Sequence, residues 1–458
     1  FSKGGSFAKW YGNSQHILRL NDMWDDTKTN KSVRRGDTSF YYKRGIGWSQ
    51  MGGGVNKSFS EIENCICKTT TPMFYANNQK HFNYILGYLN SSIPPVILKA
   101  LNPTLSILTS DILNLPFLYD EKYACQIDEL VKASYRIAKN IYEQNEENWQ
   151  FKRNSLIGVG LIQERFESWS TDMFLKYKKM KEYNDRLDGI FIEIMKLKES
   201  VRIDYEKYYD TKNKSEAVNR FISYAVGCMF GRYSLDNDGL VYAGGQWDDN
   251  KYSTFIPDND NILPITDEEY FEDDIVGLFV AFVKKVYGVE TLEENLDFIA
   301  KELGNKGNTS REIIRNYFVK DFFKDHCKVY QKRPIYWLFD SGKADGFKAL
   351  IYMHRYDENT IGNLRIDYLH KMQRIYEREI ARMQETIDNS TNAREVAAAE
   401  KRKDKLIKQL KETKDYDEKI AHLALARIAI DLDDGVKVNY EKVQTGTDGK
   451  KLEVLAKI

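Results

Sequence analysis

Residues 31–68 concentrate side chains suited to binding a polyanion, with seven Lys and Arg residues against three acids. Cationic side chains neutralise phosphates, and glycines let a backbone approach a polyanion closely. Indole rings can stack on bases, and short polar side chains can reach base edges. The segment therefore predicts nucleic-acid binding, with a solvated basic loop as the alternative. The candidate contact residues are Arg34, Arg35, Lys43, Arg44, Gly45, Trp48, Ser49, Gln50, Asn56, Lys57 and Lys68.

This segment divides into a phosphate-binding part and a base-reading part. Lys43 and Arg44 end an aromatic run that is typical of a strand, and we expect both to lie on phosphates. The residues from Gly45 to Gln50 are predicted to form a turn, from which Trp48 projects as a stacking ring. In the same turn, Gln50 offers an amide that can pair with the edge of an adenine.

Residues that could carry out methyl transfer are missing. Methylation of an exocyclic amine usually requires an Asn/Asp-Pro-Pro-aromatic turn. The stretch Asn102-Pro103-Thr104-Leu105 lacks both the second proline and the aromatic residue. The glycines of Gly158-Val159-Gly160 form an isolated G-x-G without the acidic neighbour of a nucleotide site. The sequence therefore predicts no catalytic residue and no cofactor site in this chain.

Cysteine and acidic motifs give no support for a metal centre. Cys65 and Cys67 have no second pair at zinc-site spacing, and Asp236-x-Asp238-Gly239 lacks the later Glu of a calcium loop. We interpret the acidic motif as a turn and predict no metal site. Five cysteines in 458 residues are too few for a disulfide framework, so we expect reduced thiols and a cytoplasmic location.

Composition bounds the class of protein. The chain is 42% apolar and 30% charged, which supports a folded core and excludes wholesale disorder. No apolar run approaches the roughly 18 residues of a membrane span, and no signal peptide is visible, so we expect no membrane association. The net charge of zero conceals +6 over residues 1–118 and −6 over the remainder. Because the first residue is Phe1 rather than Met, we expect a part of a longer protein.

The elements that must position the basic segment change in character near residue 120. Residues 1–120 show short alternating runs and glycine turns, which predict a mixed α/β domain. Residues 121–230 are predicted to form a helical connector, and residues 231–458 a mainly helical domain. From about residue 358 to 430, apolar residues recur every three or four positions on both sides of a polar break. This pattern predicts an antiparallel helical hairpin of the coiled-coil type, within an α+β fold overall.

Several longer motifs resemble a known family. Residues 40–75 and 84–117 resemble the recognition-domain strands, and the helix and loop after them, of TaqI-like and type IIG adenine methyltransferases. Their sequences are FYYKRGIGWSQMGGGVNKSFSEIENCICKTTTPMFY and YILGYLNSSIPPVILKALNPTLSILTSDILNLPF. Four later motifs are similar to the C-terminal region of the PglX-type adenine-specific methyltransferases of BREX phage-defence systems. These are GRYSLDNDGLVYAG (231–244), YFEDDIVGLFVAFVKKVYG (270–288), RPIYWLFDSGKADGFKALIYMHRY (333–356) and DLDDGVKVNY (431–440).

The resemblance implies that the chain is the C-terminal half of such an enzyme, with a DNA target recognition domain followed by a helical domain. In that family the catalytic residues and the S-adenosylmethionine site lie in an N-terminal domain outside this chain. The implied partners are double-stranded DNA, that N-terminal methyltransferase domain and other BREX proteins. Two alternatives stay open. One is a protein-interaction module that docks other defence-system components, and the other is an enzyme with an unrecognised site near Trp247 or Trp337.

We predict that the purified chain alone neither binds S-adenosylmethionine tightly nor methylates DNA. The reason is that it lacks both the glycine-rich cofactor turn and the Pro-Pro turn that holds the amine. Isothermal titration calorimetry measures the first property, and transfer of a tritiated methyl group to duplex DNA measures the second. Clear turnover by the purified chain would contradict this prediction.

Overall fold

A computed structural model describes the chain over residues 2, 4–5, 7–14, 16–17, 37–51, 57–67, 70–198, 214–304 and 306–458. The chain divides into two compact units. Unit 1 comprises Phe1–Phe151 and Glu167–Asn213, and unit 2 comprises Lys152–Phe166 and Lys214–Ile458.

Unit 1 contains a small antiparallel sheet with the strand order β2-β1-β3. Its strands are β1 (Gly45–Trp48), β2 (Phe59–Ile62) and β3 (Met73–Phe74). In the register of β1 with β2, Gly45 pairs with Ile62 and Trp48 pairs with Phe59. All four residues of β1 are buried, so this central strand lacks the apolar–polar alternation of a half-exposed strand.

The helices of the described part of unit 1 pack their apolar faces into one core. They are α1 (Phe82–Leu89), α2 (Ile93–Leu101), α3 (Thr109–Leu113), α4 (Glu121–Tyr142) and most of α5 (Ile162–Ile194). At the start of α4, the side chain of Asp120 accepts a hydrogen bond from the amide of Lys122. The buried residues of α4 recur at helical spacing and are Ile127, Leu130, Val131, Ser134 and Ala138. Those that are apolar share the core with Leu187 and Phe191 of α5.

A buried carboxylate joins the start of α2 to α5. Asp188 accepts hydrogen bonds from the backbone amide of Ser92 at 2.7 Å and from the Ser92 hydroxyl at 2.6 Å. Burial raises the pKa of Asp188, and the positive charge of the buried Lys9 opposes that rise. Because a charge removed from water is costly unless it is paired, these partners hold the two helices in one arrangement.

Unit 2 surrounds a second antiparallel sheet, with the order β4-β6-β5. Its strands are β4 (Leu263–Pro264), β5 (Tyr336–Asp340) and β6 (Lys348–Tyr352). The helices that precede the predicted hairpin are α6 (Lys214–Met229), α7 (Ile275–Tyr287), α8 (Leu292–Leu303), α9 (Ser310–Lys320) and α10 (Phe322–Val329). Strand β6 is wholly buried, and Trp337 of β5 lies in the core.

The predicted helical hairpin is present. A short helix, α11 (Thr360–Asn363), leads through a π-helical turn (Leu364–Leu369) into α12 (His370–Asn389), and the chain returns as α13 (Ala393–Ala426) before α14 (Val436–Lys442). Asn392 caps α13 by accepting a hydrogen bond from the amide of Arg394. Buried residues of α13 lie seven apart in two rows, as in a coiled coil. They are Ala399, Leu406, Thr413 and Ile420 in one row, and Gln409, Tyr416 and Leu423 in the other.

The predicted fold class is confirmed, because the protein is a mostly helical α+β structure with small antiparallel sheets. The compact units do not end at residues 120 and 230, the boundaries expected from the sequence. The physical reason is that α4 buries its apolar face in the core of unit 1 instead of forming a separate connector. Within the described ranges, no helix has both the length and the apolar character needed to cross a membrane.

We predict that a fragment of residues 1–120 does not fold by itself. Removing α4 and α5 exposes the apolar residues of α1 that pack on them, such as Leu86 and Leu89. Near-ultraviolet circular dichroism and urea unfolding should show no fixed tertiary structure and no cooperative transition. A sharp transition of the isolated fragment would show that the first 120 residues form their own domain.

Candidate nucleic-acid interface

The segment predicted to contact DNA supplies the central strand of unit 1. A Cβ added at Gly45 would lie 2.5 Å from the Cε of Met73, and one at Gly47 would lie 2.3 Å from the Cδ1 of Ile62. Neighbouring strands thus pack directly against these glycines, which serve the sheet rather than the approach of a polyanion. The predicted turn over these residues is wrong, since residues 45–48 are strand.

Trp48 faces the core of unit 1. Its side chain is 2% exposed, and its indole Nε1 donates a hydrogen bond to the carbonyl of Ile107 at 3.0 Å. Its ring centroid lies 5.9 Å from that of Phe59. The prediction that Trp48 projects as a stacking ring is therefore wrong. A large ring gains more from burial than from exposure when its N–H also has a partner.

Arg44 forms an ion pair inside the protein. Its Nε and Nη2 donate to the two carboxylate oxygens of Glu61 at 2.6 and 2.9 Å. The guanidinium also lies 3.8 Å from the centroid of the Phe82 ring. The side chain of Glu61 is only 10% exposed, so its charge depends on Arg44. This two-point pair raises the pKa of Arg44 and occupies the paired donors that a phosphate would need.

Lys57 is a buried cation held by carbonyl oxygens. Its Nζ donates to the carbonyl of Ser49 at 2.8 Å and to that of Gln50 at 2.9 Å, and the residue is 4% exposed. Burial lowers the pKa of Lys57 to about 8, because two carbonyl dipoles replace its hydration only in part. In this position Lys57 stabilises the backbone after β1 and is not available to neutralise a phosphate.

Lys43, Ser49 and Gln50 lie closer to solvent. Lys43 is exposed, whereas Ser49 and Gln50 are half-buried. Ser49 Oγ accepts a hydrogen bond from the amide of Gly5 at 3.1 Å, and Gln50 Nε2 donates one to the hydroxyl of Ser106 at 3.2 Å. Among the predicted contacts that the structure describes, Lys43 is therefore the exposed cation. Arg34, Arg35, Asn56 and Lys68 lie outside the described residues.

A cavity of about 420 Å³ opens beside β2, and the sequence gave no indication of it. Its walls combine aromatic rings with carboxylates, and they include Tyr11, Tyr42, Glu61, Glu63, Tyr135 and Trp149. Burial and the two nearby carboxylates raise the pKa of Tyr135 to about 12. Such a lining suits a planar ring that carries N–H donors. The lining residues come from well-separated parts of the chain, so no local motif could have revealed the cavity.

Three carboxylates of unit 2 form the one metal-like cluster found among the described residues. Ligand atoms of Asp258, Asp260 and Asp273 lie within 4.8 Å of one another. The hydroxyl of Tyr368 donates to Asp260 at 2.7 Å and also to Asp273. Burial and the neighbouring Asp260 raise the pKa of Asp258 to about 7. The Tyr368 hydroxyl bridges two of the three carboxylates, and we assign no metal to the cluster.

Together, the fold and the site define a mostly helical α+β protein in which the central strand of the first unit is buried and Lys43 before it is exposed. No protein-family model matches the chain. The chain is 34% identical over 467 residues, 98% of its length, to the adenine-specific methyltransferase PglX of Lacticaseibacillus casei (strain Zhang). It is also 34% identical over 478 residues, 96% of its length, to the adenine-specific methyltransferase BrxX of Escherichia coli O9:H4 (strain HS). The chain spans 39% of the length of each relative.

The resemblance inferred from the sequence motifs is confirmed by these similarities. The chain is similar to a portion of PglX and of BrxX, which is consistent with a C-terminal portion of a PglX-type protein.

We predict that Lys57 makes the stability of the chain rise with pH above about 8. Its pKa is about 8 in the folded state, against an ordinary value of 10.5, so the unfolded state binds more protons between these values. The free energy of unfolding therefore increases with pH across that window. From about pH 7 to about pH 9.5, the wild type should gain about 2 kcal/mol relative to K57M.

Urea unfolding of both chains over that pH range measures this difference. The comparison with K57M removes the contributions of the other titrating groups. A difference that stays constant with pH would show that Lys57 is not held in the buried position.

Proposed function

We propose that this chain is the DNA-recognition portion of a site-specific N6-adenine DNA methyltransferase of a BREX phage-defence system. The observation that carries the proposal is the 34% identity over 98% of the chain to PglX, which is named an adenine-specific methyltransferase. An enzyme that modifies one kind of base has to hold its nucleic acid and select the position. A portion that lacks the motifs of catalysis is a natural place for that task.

The surface of unit 1 around the end of β1 supports this role. The predicted contacts that remain available are the exposed Lys43 for a phosphate, and the half-buried Ser49 and Gln50 for base edges. The contacts predicted for Arg34, Arg35, Asn56 and Lys68 stay predictions. In the proposal, a supporting role and no direct contact with DNA is assigned to Arg44, Trp48 and Lys57. Their internal contacts set the backbone from which the exposed groups reach DNA.

Other parts of the enzyme supply the chemistry in this proposal. The methyl donor, S-adenosylmethionine, binds an N-terminal methyltransferase domain, which is a partner of this portion together with double-stranded DNA. Other BREX proteins are further partners, and the site of action is the cytoplasm. The basis for these assignments is the similarity to the two methyltransferases and the absence of the corresponding motifs from this sequence.

An exposed apolar surface of unit 1 favours a second candidate function, docking to another protein or domain. Leu101, Leu105, Leu108 and Leu113 are each between 47% and 64% exposed. Met51 is 63% exposed and lies beside them, because it forms a bridge with Ser106. Exposed apolar patches of a folded protein often mark sites of interaction with another protein. If docking were the whole function, this chain would not bind duplex DNA.

We predict that K43A lowers the slope of log K against log salt concentration by about one unit for duplex DNA. Binding to a sequence selected from a random pool and to scrambled duplexes should weaken alike, because a phosphate contact carries no sequence information. Fluorescence anisotropy at several salt concentrations measures both effects. The melting temperature should not change, since Lys43 is exposed.

The neighbouring variant R44A serves as the contrast. It leaves the nearly buried Glu61 without its partner, so it should cost roughly 1–3 kcal/mol of stability rather than alter the salt slope. Two outcomes would count against the assignments. If K43A leaves the salt slope unchanged, Lys43 does not contact a phosphate. If R44A lowers the salt slope and keeps the stability of the wild type, Arg44 does not form the internal ion pair with Glu61.

A further inference from the structure

The first helix of the hairpin, α12, carries a row of cations along one face. The row consists of Lys371, Arg374, Arg378 and Arg382, and all four are exposed. Residues three or four apart lie above one another on a helix, so these side chains fall within an arc of roughly 80°. The row extends for about 16 Å, at the rise of 1.5 Å per residue. We call this row the basic stripe.

The carboxylate beside the basic stripe, Glu377, lines the same depression as Lys371, Arg374 and Arg378, but it pairs with Lys414 of α13. Neither Arg374 nor Arg378 makes an ion pair or a side-chain hydrogen bond with another described residue. Arg382 pairs with Glu379, and Lys371 lies 5.2 Å from the ring centroid of Phe271. The two central guanidinium groups therefore keep their donors free for an external anion, unlike Arg44 in unit 1.

The contacts of α12 beside and behind the basic stripe hold the helix firmly. Met372, Ile375 and Tyr376 are buried. The amide Nε2 of Gln373 donates to the carbonyl of Thr413 at 3.1 Å, and Glu377 pairs with Lys414 of α13 at 2.9 Å. These contacts fix the rotation of the helix, so the basic stripe is presented in a set direction. A fixed array binds at a lower entropic cost than a mobile one.

The residue composition of the exposed face of α12 favours a nucleic acid over a protein as its partner. Along α12 no large apolar side chain is exposed. The small residue Ala381 lies beside Arg378 and Arg382 on this face. A protein interface normally has an apolar or aromatic centre, which this face lacks. A row of cations matches the regular charges of a nucleic-acid backbone, where one strand carries a phosphate about every 3.4 Å along the duplex axis.

We propose that the basic stripe binds the phosphate backbone of double-stranded DNA, as a second contact in addition to the surface around β1. This inference rests on the proposed function, since it assumes that the chain binds a duplex. It assigns to unit 2 a positioning role that is independent of base sequence. The central residues Arg374 and Arg378 contribute most, because neither has an ion-pair partner among the described residues.

The test is the double variant Arg374→Gln and Arg378→Gln in the full chain, with a duplex of about 30 base pairs as the probe. Each lost phosphate contact removes about 0.9 from the salt slope, so the slope should fall by about two units. The melting temperature should stay unchanged, since both residues are exposed. The matched control is Lys408→Gln and Lys419→Gln, which removes two exposed cations of α13 and should leave the slope unchanged.

The possible outcomes separate this inference from the proposed function. If the unmodified chain binds the duplex and the arginine variant keeps the full slope, the basic stripe is not a DNA contact and DNA recognition by unit 1 stands. Equal falls for the arginine and lysine variants would also overturn the inference, because net charge alone would then explain them. If the unmodified chain shows no duplex binding, both proposals fail.

Discussion

The structure of unit 1 depends on one constraint, the close approach of two strands to the buried backbone of β1. Side chains of Ile62 and Met73 occupy the space that a Cβ at Gly47 or Gly45 would need. Because β1 is covered on both sides, its only large side chain, Trp48, must also be buried and find a partner for its N–H. The carbonyl of Ile107 provides that partner, which in turn fixes the chain between α2 and α3.

Burial of this strand decides what the surrounding charges can do. Lys57 leaves water to hold the carbonyls that follow β1, and Arg44 neutralises the nearly buried Glu61. Two cations of a segment that looks like a polyanion site are thus used inside the protein. Both cations are committed to partners of the same chain, whereas Lys43 is exposed. Counting cations along a sequence overestimates the charge that an interface offers.

In unit 2, carboxylates are likewise committed to partners inside the protein. Asp274 is fully buried, caps α7 through the amides of Val276 and Gly277, and pairs with Arg315 of α9. Glu412 of α13 accepts hydrogen bonds from the amides of Ala344 and Gly346 in the turn between β5 and β6. Asp274 thus joins α7 to α9, and the half-buried Glu412 joins the hairpin to the turn between the two strands. Because α12 packs on α13, these contacts also hold α12, on which Arg374 and Arg378 have no ion-pair partner among the described residues.

Several helices could be predicted from the sequence because their signals are local. The spacing of Ile127, Leu130 and Val131 predicts α4, and the polar break before Asn392 predicts the end of the first limb of the hairpin. The similarity to methyltransferases likewise rests on contiguous motifs. The compact units could not be predicted, because α4 finds its packing partners in α1 and in α5, whose core residues Leu187 and Phe191 lie about 60 positions further along the chain.

By itself, the sequence determined the fold class, the helical hairpin and the likeness to a portion of a PglX-type enzyme. Only the tertiary structure decided which candidate side chains face solvent. A segment of glycines and a tryptophan near basic residues has a composition that is compatible both with an exposed turn and with a buried strand. The choice between them depends on Ile62, Met73 and Ile107, which lie 15 to 59 residues away from the positions they contact. Contacts over such distances are set by the packing of the whole unit, and no local pattern encodes them.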